Sequence, residues 1–149
     1  MFKTNNIFVL EYRLLDGDLI RPIYHFPFLS KVQIFTRRHC DYFILNGFVY
    51  ENKGSYLEND RYIIEVIGSD LENTPYYHLN RPLGIEIRDV DSFDEIHFFE
   101  SGDELDLFSW LQSTYITING KVYEQTSNEV DQDRDTYVMY VKPFIEVEE

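Results

Sequence analysis

Arg37-Arg38-His39-Cys40-Asp41 is the stretch of this chain whose residue types come nearest to catalytic machinery. A histidine among arginines could move a proton while a guanidinium steadies developing negative charge, as phosphodiester cleavage requires. The adjacent thiol invites a nucleophile story, because a cationic surround lowers a thiol pKa. Geometry opposes the pairing. On a strand, neighbouring residues point to opposite faces, so His39 and Cys40 could not act together. Cys40 then reads as a small buried apolar residue at a polar strand end. A small hydrolase or nuclease centred on His39, with Arg37 and Arg38, is therefore the second reading.

Other chemistry is poorly represented. The glycines at 17, 47, 54, 68, 84, 102 and 120 lie too far apart for a phosphate-cradling loop, and no nucleophile elbow or zinc-helix motif occurs. Asp131, Asp133 and Asp135 match the opening spacing of a calcium loop. The position needing glycine is Thr136, however, and the one needing a bidentate glutamate is Lys142. Cys40 is the only cysteine, so neither a disulfide nor a cysteine-based zinc site can form within the chain. No metal or cofactor is expected. Tyr42, Phe43, Phe48, Tyr50, Tyr56 and Tyr62 near Arg37, Arg38, Lys53 and Arg61 could stack bases, but core packing explains them better.

Charge is the strongest functional signal. The formal net charge is −14, and its placement is uneven: residues 1–85 carry −1 and residues 86–149 carry −13. Such a field repels phosphate backbones and anionic membranes. Asp89, Asp91, Asp94, Glu95, Asp103, Glu104 and Asp106 form the densest run, and Asp131, Asp133 and Asp135 a second. The leading reading is a non-enzymatic acidic protein that engages a basic protein partner through its C-terminal half, by the charge logic of immunity and inhibitor proteins. The plain alternative is a solvated face that keeps the protein in solution. A third reading is a structural or assembly subunit of a phage or mobile element, joined through exposed strand edges.

The elements that must position these residues are mainly strands. The chain has 149 residues, 17% of them aromatic, and no alanine; β-branched and aromatic residues suit pleated surfaces, whereas alanine is the best helix former. Alternation marks strands near 7–14, 31–36, 61–67, 84–88 and 136–142. Asn46-Gly47 and Asn119-Gly120 each sit between such runs, as type I′ hairpin tips require. Pro22 sends the segment 19–24 to an edge, and Tyr24 to Phe28 reads as an irregular crossing. One short helix is expected near 101–112, from Ser101-Gly102-Asp103-Glu104 followed by Leu105, Phe108 and Leu111. Inward Ile85 and Ile87 should leave Glu86 and Arg88 outward. No repeat or linker stands out. The expectation is one β-rich domain over 1–149, α+β at the margin, built as an antiparallel sandwich or barrel-like sheet. With no signal-like or membrane-spanning segment and an AT-rich codon flavour, a bacterial or phage cytoplasmic protein is expected.

Overall fold

The computed structural model describes residues 8–71 and 81–145. In chain order they form β1 (Phe8–Asp16), β2 (Leu19–Leu29), α1 (Lys31–His39), β3 (Tyr42–Leu45), β4 (Phe48–Glu58) and β5 (Arg61–Gly68). There follow β6 (Gly84–Asp89), β7 (Glu95–Glu100), α2 (Glu104–Leu111), β8 (Tyr115–Ile118), β9 (Lys121–Asp131) and β10 (Thr136–Pro143). The protein is mainly β, as composition predicts. The antiparallel sandwich or barrel is corrected: there is one open, mixed sheet of order β2-β1-β5-β4-β3-β9-β10-β6-β7, with β8 on β9. The β1–β5, β3–β9 and β6–β10 pairs are parallel. No helix among the described residues is long and apolar enough to cross a membrane.

Two local expectations also change. Residues 31–36 form a helix, because Ser30 and Gln33 close a reciprocal capping box. Arg37, Arg38 and His39 occupy the last turn, where positive charge suits the helix dipole. The alternation of Val32, Ile34 and Thr36 mimics a strand; Thr36 instead donates its hydroxyl to the Val32 carbonyl at 2.7 Å. Residues 24–28 continue β2 at the sheet edge, the place Pro22 permits, with a register shift beside Tyr12 and Arg13. The one helix expected, near 101–112, forms as α2, but its cap is Asp103, which accepts from the Leu105 N–H at 3.0 Å.

The sequence also repeats, contrary to expectation. β1–β5 and β6–β10 share one plan: hairpin, helix, hairpin, and a last strand parallel to the first. Aligned 73 residues apart, Tyr42, Asn46, Gly47, Val49, Tyr50 and Glu51 match Tyr115, Asn119, Gly120, Val122, Tyr123 and Glu124. Phe26, Phe35, Asp60 and Arg61 match Phe99, Phe108, Asp133 and Arg134 in the same frame, and Glu11, Arg13 and Tyr62 match Glu86, Arg88 and Tyr137 two residues further on. Details of bonding recur too. Asn52 donates its amide to the Arg38 and Cys40 carbonyls at the end of α1, and Gln125 does the same for Leu111 and Ser113 at the end of α2. A bulge falls at the equivalent point of β4 and β9. The chain is thus two copies of one module.

The copies meet around a pseudo-two-fold axis normal to the sheet. β3 pairs antiparallel with its own β4 and parallel with β9, while α1 packs on α2. The reciprocal pairing of β8 with β4 is not formed among the described residues. Accordingly Leu57 is exposed where its counterpart Val130 is buried. Ile34 and Leu107, equivalent positions of the two helices, are both fully buried on the concave face. The sheet curls enough for Tyr12 of β1 to stack on Phe43 of β3 at 3.8 Å, across two intervening strands.

Asn46 and Gly47 have φ of 52° and 78°, and Asn119 and Gly120 have 50° and 78°, so both hairpin tips are type I′ as expected. Gly47→Val and Gly120→Val should each cost about 1 kcal/mol or more, since a β-branched residue is strained at positive φ. Urea unfolding of each variant measures this; midpoints equal to the parent's would contradict it.

Candidate functional site

The ten acidic residues singled out from the sequence separate into three places. Gly84 pairs with Glu100, and Thr136 donates its hydroxyl to the Gly84 carbonyl at 3.2 Å, so the starts of β6 and β10 lie at one end of the sheet. That end carries Asp103, Glu104 and Asp106 at the start of α2, with Asp133 and Asp135 in the β9–β10 turn. Asp89, Asp91 and Asp94 lie at the opposite end, in the β6–β7 turn. Here Asp89 accepts from the N–H groups of Asp91 and Ser92, both at 2.9 Å, and these bonds hold its carboxyl below the ordinary range. Glu95 and Asp131 belong to the helix-free face of the sheet.

That face holds a charge network in each half. Glu86 and Arg88 point away from the hydrophobic core as expected, yet both are buried. Glu86 accepts from Arg88 at 3.0 Å and from Arg134 at 2.7 Å, Arg134 also binds Asp131 at 2.7 Å, and Arg81 pairs with Glu95. The N-terminal half repeats the motif, with Glu11 between Arg13 and Arg61, but Arg61 is half-exposed there. Glu129 sits beside this network with its carboxyl pushed up to about 7. Burial is the main cause, opposed by a bond from Tyr140 and reinforced by Asp131.

The His39 segment does not converge. Helical rotation spreads the side chains of Arg37, Arg38 and His39. Arg37 turns into the core, its Cζ 4.4 Å above the Phe26 ring. Arg38 donates to the Ser55 hydroxyl at 2.9 Å. His39 donates Nε2–H to the Leu111 carbonyl at 2.9 Å and borders a cavity of about 240 Å³ with Asp41, Thr114, Gln125 and Asn128. The polar groups around it already serve each other: Asn128 and Asp41 exchange backbone and side-chain bonds, and Gln125 holds helix-end carbonyls. Cys40 is buried, and burial raises its thiol pKa well above the ordinary value.

The end bearing Asp103 and Asp135 differs from the helix-free face, where the carboxylates are paired with arginines. Glu100, Asp103, Glu104, Asp106, Asp133 and Asp135 have no lysine or arginine within ion-pair distance among the described residues. Asp133 instead accepts from the N–H groups of Asn46 and Gly47 at 2.7 and 2.8 Å. Glu104 is half-buried and accepts from the Tyr137 hydroxyl at 3.1 Å. Burial raises its carboxyl above the ordinary range; Tyr137 and Arg37 oppose that, and Asp135 and Asp103 add to it.

No protein-family model, curated protein or solved structure matches this chain. The candidate site therefore rests on its own chemistry. Sequence reading named Asp103, Glu104, Asp106, Asp133 and Asp135 but did not see that they share one end, nor that Arg37 approaches them from α1. The accessible signal was the alignment of the halves, which sets Arg37 against Trp110.

Proposed function

We propose that this is a non-enzymatic binding protein whose unpaired acidic rim, at the start of α2 and in the β9–β10 turn, receives a basic protein. The observation carrying this reading is the contrast within the C-terminal half. On the helix-free face, the buried carboxylates of Glu86 and Asp131 are matched by arginines; on the rim, carboxylates crowd one another, Arg37 acts on Glu104 only from beyond ion-pair distance, and no lysine or arginine among the described residues forms an ion pair with them. A partner's lysines or arginines would relieve that repulsion, and exposed charge also speeds association. Inhibitor or immunity proteins acting on basic targets would use such a surface.

The test neutralises charge while keeping local structure. Asparagine caps helices and tolerates positive φ, so Asp103→Asn, Asp106→Asn and Asp135→Asn together remove three charges with little effect on the fold. A control, Asp91→Asn with Asp94→Asn, removes charge at the other end. Proteins captured from a lysate of the source cells by the parent and the control, released as salt rises, and lost with the rim variant are the expected result. Equal capture by all three forms would reduce the rim to a solvated surface.

A further inference from the structure

Arg37 is buried where the fold has shown it can do without a charge. Its counterpart in the other half is Trp110, which stacks on Phe99 at 4.0 Å, just as Arg37 lies over the equivalent Phe26. Tyr12, beside Arg37, corresponds to Ile87. The module therefore fills this corner with apolar side chains in one copy and with a guanidinium and a phenol in the other. A buried charge costs several kcal/mol unless it is well partnered. Yet Arg37 is 7% exposed, its Nε and Nη1 are buried without a well-formed hydrogen bond, and the Tyr12 hydroxyl, its polar neighbour in this corner, makes none either.

Arg37 lines a cavity of about 100 Å³ together with Gln33, Glu104, Asp135, Thr136 and Tyr137. That is roughly the liquid volume of three water molecules, at about 30 Å³ each, and the size of a very small organic molecule. The lining carries both signs of charge, which sets the ligand's chemistry. A dianion such as phosphate would be repelled by Glu104 and Asp135, and a simple cation by Arg37. A carboxylate suits a guanidinium, and an ammonium group suits the two acids.

We propose that this cavity binds a small zwitterion, its carboxylate on Arg37 and its ammonium toward Glu104 and Asp135: the chemistry of a free amino acid of glycine or alanine size. The inference goes beyond the acidic rim's reading and needs no protein partner, so the two can fail separately.

Purified protein is titrated with glycine and alanine, and in parallel with acetate, ethylamine and phosphate, following calorimetric heat and the thermal midpoint. Glycine or alanine should give saturable single-site binding, acetate and ethylamine weaker binding, and phosphate none. Arg37→Met keeps an unbranched apolar stem and removes the charge, and Trp110 shows that an uncharged residue is accommodated at the equivalent position; this variant should fold and lose the response. Glu104→Gln retains an acceptor for Tyr137 and should weaken glycine about tenfold while sparing acetate, since hydrogen bonds to charged groups contribute about 1.5–3 kcal/mol. No saturable response to glycine or alanine in the parent would overturn the proposal. So would an undiminished response in Arg37→Met, or acetate binding as tightly as glycine.

Discussion

Replacing Glu86 by alanine is expected to cost about 3–5 kcal/mol, because it strands buried arginines without their counter-charge. Glu86 is fully buried, and the side chains of Arg88 and Arg134 that it holds are 5% and 8% exposed. Its repeat partner Glu11 provides an internal control. Glu11 pairs with Arg13 and Arg61, but the Arg61 side chain is 49% exposed and can be solvated once freed. Glu11→Ala should therefore cost about 1–2 kcal/mol, between an exposed ion pair and a buried one. Urea unfolding of the two variants tests the difference; equal losses would mean that burial does not set the strength of these networks. Glu86→Leu combined with Arg134→Leu should recover part of the loss, since an apolar pair often replaces a buried ion pair without penalty.

The second large effect depends on pH. Glu129 titrates near 7 in the folded chain, against an ordinary value of 4.5. Between those values the folded state holds a proton that the unfolded state has released. Unfolding then sheds protons, so stability falls as the pH rises through this interval. Above pH 7 the folded protein carries the buried charge in full, at a cost of about 3 kcal/mol. Glu129→Gln removes the charge and keeps an acceptor for Tyr140. It should match the parent near pH 4.5 and exceed it by about 3 kcal/mol at pH 8. Denaturant midpoints at the two pH values measure this, and a variant stabilised equally at both would show that desolvation of the carboxylate is not the cause. Because Glu129 lies opposite Tyr42 where β3 joins β9, the effect reports on the seam between the halves.

Local grammar made much of the secondary structure legible. Asn-Gly tips, alternating strands and the position of α2 all follow from interactions a few residues long. α1 was hidden because Val32, Ile34 and Thr36 alternate as in a strand, and because a capping box of Ser30 and Gln33 weighs more than that alternation. The error propagated to the site. On a strand, Arg37 and His39 would share one face and Arg38 and Cys40 the other, whereas the helix sends Arg37 to Phe26, Arg38 to Ser55 and His39 to Leu111. Strand order was out of reach for another reason: the β3–β9 pairing is decided by packing across the whole molecule. The repeat is legible in the sequence only when Tyr42–Glu51 is set against Tyr115–Glu124, 73 residues on.

Two separate, identical modules around a true dyad would carry every charge twice, and their electric moments across the axis would cancel. Joining the modules in one chain lifts that constraint, and the copies have used it. Nearly all the negative charge lies in residues 86–149, while residues 1–85 are close to neutral. The molecule consequently has a permanent electric dipole running from one module to the other. In the field of a positively charged surface it experiences a torque before any contact, and the C-terminal module is turned to face that surface first.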